Sequence, residues 1–464
     1  MPSVLNIGTY IPSRRLTKEA YSNLRKPGFA AEPAIAGYDE DAVTLAVSAG
    51  ELALDNFDRN KVRRLFFATV TPPFLERANS SVIASALDLP ENITTADITS
   101  SLRSSLTAIR LACESAGADE TGHSLVVCGD KRRCAPETPE EMSFGDAGAA
   151  VLIGSSDDGI AVVEGVYSSY SGFMDFWRMD GENTVNTGEA RYSIEYGFQK
   201  ITIKAIKEFL KIKGLTPADI SRLILIAPDG KAHRAVFKKT GFESGAEESE
   251  ELFLRIGFCG TPAPILLLAY SLSGIMEGQR VLLCGYGSGV DLVLLRGTGR
   301  GGEAKNNLDL QISKKKPLKD YTEFLKLKGF METEKINPFT SIPVLAREDG
   351  ALLRLHGTKC RGCGTIQYPP RRICWSCSSK DNMESIKLNR KGRVYTYTKD
   401  YVYASPFPPT AMAVVDLDGG GRFYCQMTDS DMESIKIGSE IRLCFRRLHE
   451  GGGFVHYFWK AMPV

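Results

Sequence analysis

The chain carries almost no net charge: 57 lysines and arginines face 56 aspartates and glutamates over 464 residues, a formal +1. Such a balance offers no overall attraction to nucleic acid or to an acidic membrane surface. No uninterrupted apolar run reaches the ~20 residues needed to cross a bilayer. The opening Met-Pro-Ser-Val-Leu-Asn-Ile-Gly has neither the basic start nor the long apolar stretch of a signal peptide. A cytoplasmic protein with no membrane partner is therefore expected. A secreted disulfide framework is also missing. Seven of the eleven cysteines are scattered, several inside apolar runs such as Leu125-Val126-Val127-Cys128 and Leu282-Leu283-Cys284, where a free thiol packs as a small hydrophobe. What remains is an ordinary globular composition, 43% hydrophobic and 24% charged, at a length that allows roughly three domains.

Up to about residue 300, strand-like apolar runs alternate with helical periods, the pattern of a layered α/β protein. A weak internal repeat organises this region. Arg64-Leu65-Phe66-Phe67-Ala68 is echoed by Arg222-Leu223-Ile224-Leu225-Ile226. Val126-Val127-Cys128-Gly129 follows the first run, and Leu282-Leu283-Cys284-Gly285 follows the second at nearly the same spacing. Each half then passes a glycine turn into a last strand: Gly145-Asp146-Ala147-Gly148 before Ala149 to Ile153, and Gly287-Ser288-Gly289 before Asp291 to Leu295. Matching order at near-matching spacing predicts two copies of one α/β unit.

Residues 298–317 are polar, glycine-rich and basic, ending in Lys314-Lys315-Lys316-Pro317, and read as a solvated linker. Leu318 to Leu327 has helical spacing (Leu318, Tyr321, Phe324, Leu325) suited to docking on a neighbouring surface. Beyond about residue 340 come short alternating strands, the pattern of a small β-barrel. Ahead of them stand two C-x-x-C pairs, Cys360/Cys363 and Cys374/Cys377, separated by ten residues and accompanied by Gly362 and Gly364. Two such knuckles can surround one tetrahedral zinc ion and leave no open coordination position, so a structural zinc is expected. An iron centre in the same four-thiolate geometry, or four unpaired thiols, are the alternatives. His356 lies close in sequence but is not needed for the shell, and reads as a surface histidine.

Residues 1–300 resemble the 3-hydroxy-3-methylglutaryl-CoA synthase branch of the thiolase superfamily. The matching stretches are Tyr38-Asp39-Glu40-Asp41-Ala42-Val43-Thr44, Phe144-Gly145-Asp146-Ala147-Gly148-Ala149-Ala150, Asp175-Phe176-Trp177-Arg178 and Gly287-Ser288-Gly289. Residues 318–464 resemble acyl-CoA-associated proteins with a rubredoxin-like zinc ribbon and an OB-fold, through Cys360-Arg361-Gly362-Cys363-Gly364-Thr365-Ile366-Gln367-Tyr368-Pro369-Pro370-Arg371 and Tyr395-Thr396-Tyr397-Thr398. The resemblance implies an α/β fold class: a duplicated thiolase-like fold layered α/β/α/β/α over 1–300, then a linker and docking helix over 301–340. A zinc ribbon over 341–385 and an OB-fold barrel over 386–464 follow. An OB-fold often binds nucleic acid, but no basic, aromatic-laced groove is visible here, so no nucleic-acid partner is expected.

The synthases that the first region resembles use four side chains. A cysteine forms an acyl thioester, a histidine and an asparagine position the second acyl-CoA, and a glutamate moves the proton. Carried over position by position, the cysteine falls on Leu102, the glutamate on Val70, the histidine on Ile226 and the asparagine on Phe258. None of these apolar side chains can attack a thioester or donate a hydrogen bond to one, so the resemblance implies a vacated active site. Cys259, beside the asparagine position, is either a displaced nucleophile one residue out of register or a small packed residue. Backbone N–H groups of Gly287 and Ser288 are candidates for polarising a thioester carbonyl. Tyr286 and Asp291 are candidates for proton transfer, with packing and ion pairing as their other reading. Lys231 and Arg234, around His233 at an expected helix start, are candidates for a CoA phosphate or solvated basic residues.

Three functions follow. In the first, the chain is a non-condensing subunit working with a catalytically complete thiolase-type partner on acyl-CoA thioesters. In the second, it is an enzyme of altered chemistry, such as an acyl-CoA aldolase, thiolase or acyltransferase. Plain acyl-CoA binding, the third, has no feature of its own. Thiolase-like folds bury their sheets against a copy or a relative, so a homo- or hetero-oligomer is expected.

Overall fold

A computed structural model describes the chain apart from residues 22–30, 117–121, 139, 156–158, 243–245, 302, 334–340 and 432, and apart from the side chains of 246–248. It divides into two units: residues 1–36, 41–84 and 89–324 form the first, and 37–40, 85–88 and 325–464 the second.

The first unit is built as two copies of one motif. The first copy comprises β1 (Pro2–Tyr10), α1 (Ala42–Ala53), β2 (Val62–Thr69), α2 (Asn79–Ala86), β3 (Thr94–Thr99), α3 (Ser104–Ala116), β4 (His123–Asp130) and β5 (Ala147–Ser155). The second comprises β6 (Ala161–Tyr170), α4 (Lys200–Lys213), β7 (Arg222–Leu225), α5 (Gly230–Thr240), α6 (Ala246–Ile256), α7 (Ala263–Leu272), β8 (Arg280–Tyr286) and β9 (Gly289–Gly297). Their strands share one nine-stranded sheet, ordered β7-β8-β9-β6-β1-β5-β4-β2-β3. The two halves mirror one another. β2 runs parallel to β4, and β4 antiparallel to β5, which pairs with β1. Likewise β7 runs parallel to β8, and β8 antiparallel to β9, which pairs with β6. Every segment of the sequence repeat lands on its counterpart. Among the described residues the second copy has no strand matching β3.

Covered strands need apolar side chains on both faces, which is why Leu65-Phe66-Phe67-Ala68 of β2 is continuously buried. On β8 the faces separate by the period of two. Val281 and Leu283 enter a central core with α3 and α7, while Leu282 and Cys284 enter an outer core with α4 and α5. Both α3 and α7 touch strands of both copies, and α1 and α4 cover the outer faces. This is the layered α/β/α/β/α arrangement expected of the thiolase-like fold. α1 can lie close on its sheet because the strands beneath it carry glycine: a Cβ on Gly8, Gly129 or Gly148 would come within 2.0 to 2.2 Å of a carbonyl oxygen of that helix. Asp41 and Thr44 start α1 with a capping box, each side chain accepting the other residue's N–H at 3.0 and 2.9 Å.

The expected linker over 298–317 is not simply a tether. It contains α8 (Ala304–Ser313), whose Ala304, Leu308 and Ile312 are buried in the central core. Their spacing of four places them on one helix face, while the polar residues that suggested a linker occupy the other. The helical spacing over 318–327 appears as α9 (Tyr321–Lys328), whose Phe324 and Leu327 are buried, as is Leu318 ahead of it, and the division between the units falls within this helix.

The second unit opens with a three-stranded ribbon, β10 (His356–Cys360), β11 (Ile366–Gln367) and β12 (Met383–Lys387), in the order β11-β10-β12. A five-stranded sheet follows: β13 (Lys391–Asp400), β14 (Thr410–Leu417), β15 (Arg422–Gln426), β16 (Glu440–Gly451) and β17 (Phe454–Pro463), ordered β15-β14-β13-β16-β17. A bridge from Met427 to Ala461 brings the end of β15 to β17 and curls the sheet towards a barrel. Alternate residues such as Ala411, Ala413, Val415, Leu443, Phe445 and Trp459 fill it. Two buried ion pairs lie in this unit, Lys460 with Asp39 at 3.0 Å and Arg446 with Glu40 at 3.0 Å. Among the described residues, no helix is long and apolar enough to cross a membrane.

Candidate functional site

Three strand ends of the first unit converge on one cavity of about 280 Å³. β3 passes into α3 through Ser100, which is left-handed at φ 73°, and Ser101, whose hydroxyl donates to the Gly287 carbonyl at 2.7 Å. That turn sets Leu102 in the cavity wall. β7 ends at Leu225, and Ile226 to Asp229 continue the wall up to α5. Asp229 caps that helix, its carboxylate accepting the Ala232 N–H at 2.7 Å. Phe258 is fixed through its backbone, donating its N–H to the Ser143 carbonyl at 2.6 Å and accepting from the Gly145 N–H at 3.2 Å. β8 ends in Tyr286, whose ring stands edge-on to Phe198 at 5.4 Å between centroids. Burial first, and then the negative charge of Asp175, push the Tyr286 phenol well above its ordinary value.

Three of the four positions carried over from the synthases, Leu102, Ile226 and Phe258, therefore meet as walls of one cavity, beside Tyr286. The fourth, Val70, does not line it. Its N–H donates to Asp130 at 2.8 Å and its carbonyl accepts from Arg178 at 3.2 Å. Asp130 is wholly buried, and its carboxylate also accepts from Thr69, Thr71 and Thr261. Burial pushes its pKa up against the pull of those hydrogen bonds. Gly260 makes room for this network: at φ 68° it is left-handed, and a Cβ there would sit 2.4 Å from the carboxylate. Next to it Arg132 is buried with its guanidinium 3.8 Å from the Phe144 centroid, 5.5 Å from Phe176 and 5.7 Å from Phe258. Burial holds its pKa down at about 10, against the opposing charge of Asp130.

Several other candidates fall away from the cavity. Cys259 is wholly buried, its thiol 3.6 and 3.7 Å from the Gly257 and Ile256 carbonyls, and it lines an adjoining pocket of about 80 Å³ that shares Ile226, Asp229 and Phe258 with the cavity. It is a core side chain rather than one presented to the larger cavity. Asp291 is 2% exposed and bonded at 2.5 Å to Arg103, Ser168 and Thr107, so it forms a buried ion pair rather than a proton-transfer group. The Gly287 N–H donates to the Gly289 carbonyl at 3.0 Å, which removes it from an oxyanion hole, and Ser288 accepts through its carbonyl from the Ser171 N–H. Lys231 and Arg234 are exposed on the first turn of α5 and line neither pocket, and Arg234 pairs with Glu250 at 3.1 Å. His233 is buried, its Nε2 3.2 Å from the Leu225 carbonyl. The carboxylates the sequence reading passed over are Glu140, Asp175 and Asp229, all in the cavity wall. Asp175 was signalled by its matching motif, and Asp229 by its place before Gly230-Lys231 as a helix cap.

In the second unit the four ribbon cysteines meet. The Cys360 and Cys377 sulfurs are 3.6 Å apart, as are those of Cys363 and Cys374, and all four lie within 4.8 Å of one another. Sulfurs tetrahedrally placed ~2.3 Å from a zinc ion stand about 3.8 Å apart, so the four fit that ion. Both knuckles turn alike. The Gly364 N–H donates to the Cys360 carbonyl at 2.8 Å and the Ser378 N–H to the Cys374 carbonyl at 3.0 Å, with positive φ at Gly364 and Ser378. His356 stands outside the cluster and is only partly exposed, its Nε2 2.9 Å from Asp88 in the same unit.

Fold and sites together define a thiolase-fold protein carrying a zinc ribbon and an OB barrel. Residues 347–384 match the ChsH2 rubredoxin-like zinc ribbon domain, and 386–446 the ChsH2 C-terminal OB-fold domain. A DUF35 domain-containing scaffold protein of Methanocaldococcus jannaschii is 37% identical over 115 residues, 24% of this chain and 82% of that one. Through this part the chain belongs to the DUF35 family. The hydroxymethylglutaryl-CoA synthase of Pyrococcus furiosus is 27% identical over 293 residues, 62% of this chain and 83% of its own length. A crystal structure of an HMG-CoA synthase complexed with CoA superposes with a TM-score of 0.63 at 20% identity, covering 74% of this chain and 95% of that one. The 3-oxoacyl-[acyl-carrier-protein] synthase III of Aquifex aeolicus superposes at 0.56 and 18% identity, covering 64% and 100%. The chain thus joins an HMG-CoA synthase-like thiolase fold to a DUF35-type ribbon and barrel.

Proposed function

We propose that this chain holds an acyl-CoA thioester in the cavity of its first unit without forming a covalent acyl intermediate. It would serve as the non-condensing subunit of a complex whose thiolase-type partner supplies the nucleophile for carbon–carbon bond formation or cleavage. The observation that carries the reading is the meeting of Leu102, Ile226 and Phe258 in one wall. Positions that in the synthases would attack and polarise the thioester here offer only hydrocarbon, which suits an acyl chain and no covalent step. The scaffold name of the DUF35 relative, and the CoA bound in the superposed synthase, are consistent with it.

A second reading has its own support. Tyr286 and Asp175 lie in the same wall, close enough for the carboxylate to raise the phenol, and such an acid and base could move a proton in an aldol cleavage or acyl transfer with no cysteine thioester. Titration calorimetry of the full chain with octanoyl-CoA, run beside turnover assays on acyl-CoA and 3-hydroxyacyl-CoA substrates, separates the two. Binding without turnover, lost in Ile226→Trp where the indole fills the cavity, is expected of the first. Turnover by the chain alone that falls at least a hundredfold in Tyr286→Phe would establish the second.

A further inference from the structure

Among the described residues the cavity wall contains three carboxylate side chains, Glu140, Asp175 and Asp229, and no lysine, arginine or histidine. Arg132, a buried cation, lies against the Phe144, Phe176 and Phe258 rings and beside Asp130, outside the wall. Arg178 is outside the wall, its guanidinium donating to the Val70 carbonyl. Two of the carboxylates are already used. Asp229 accepts the Ala232 N–H of the helix it caps, and Asp175 accepts the Phe176 N–H at 2.8 Å. They do not call for a cationic ligand, and no metal-ligating cluster other than the ribbon cysteines occurs among the described residues. The rest of the wall is largely hydrocarbon: Leu102, Ile194, Ile226, Phe253, Phe258 and Pro264 among others.

We infer that the cavity selects uncharged acyl groups and rejects acyl groups that end in a carboxylate. The inference rests on the acyl-CoA reading above and adds the class of acyl group. A terminal carboxylate would leave water for an apolar pocket that offers no cation and already holds three groups of its own sign, so both desolvation and Coulomb repulsion oppose it. A hydrocarbon chain meets neither barrier. At about 280 Å³ the cavity has room for a hydrocarbon chain of several carbons, and octanoyl is a suitable probe. The relatives are named for hydroxymethylglutaryl-CoA, whose acyl group does end in a carboxylate, so this chain would differ from them in the acyl group it accepts as well as in its lost nucleophile.

The test compares octanoyl-CoA with octanedioyl-CoA, equal in length and differing by one terminal carboxylate, titrated calorimetrically into the full-length protein. Octanoyl-CoA is expected to bind at least tenfold tighter. Glu140→Gln and Asp229→Asn each remove a negative charge, the second keeping a side chain that caps helices well. Both are expected to narrow that ratio at least threefold. Equal affinities for the two thioesters, or a ratio that neither variant moves, would overturn the inference while leaving acyl-CoA binding intact. Failure of both thioesters to bind would overturn the acyl-CoA reading itself, and the inference with it.

Discussion

Asp291 accepts hydrogen bonds from Arg103, Thr107 and Ser168 at 2.5 Å each, with only 2% of its surface exposed. In the sequence it stands beside a glycine turn, where chemistry and scaffolding look alike. Its partners lie more than a hundred residues away, so local pattern could not reveal them. Removing one partner of a buried ion pair leaves the other charge stranded. Asp291→Ala should therefore lower the free energy of unfolding by on the order of 3 kcal/mol in urea denaturation. Loss of turnover with undiminished stability would instead restore Asp291 as a proton-transfer group. Leu102, Ile226 and Phe258 were legible one by one as positions, because the resemblance assigns each to a synthase side chain. Their meeting in one cavity was not, since it depends on the converging ends of β3, β7 and β8.

At the scale of elements, hydrophobic period revealed the strands and the repeat, because covered strands carry continuous apolar runs whatever their long-range partners. It missed α8, where glycines and a lysine run outweighed the Ala304, Leu308 and Ile312 stripe. The cysteine spacing was the strongest local signal, since two turns of fixed shape suffice to bring four sulfurs together. The remaining thiols are closed to chemistry by burial, which pushes Cys113 and Cys425 up to about 12 and Cys444 to about 11, and raises Cys128 and Cys284 as well. Iodoacetamide on the native protein at pH 8 should accordingly leave the seven cysteines outside the ribbon unmodified. Chelation of zinc should release about one ion per chain and open the exposed Cys363 and Cys377 to alkylation first. Peptide mapping checks both; rapid labelling of Cys259 before chelation would show that its burial is not as described.

For the whole molecule, duplication explains why the cavity exists. Two like copies share a sheet, and helices α3 and α7 fill the layer between, so strand ends from both copies face one space. The fold of the superposed HMG-CoA synthase is kept, and the ribbon and barrel add a DUF35-type part to the same chain. The claim that unites these observations is acyl-CoA binding without covalent capture. Its most direct measurement is the intact mass of the purified, denatured chain after incubation with acetyl-CoA and acetoacetyl-CoA, beside a hydroxymethylglutaryl-CoA synthase treated identically. An unmodified chain next to an acylated control is the predicted result. An acyl adduct on this chain, mapped to Cys259 or to any other cysteine of the first unit, would contradict it.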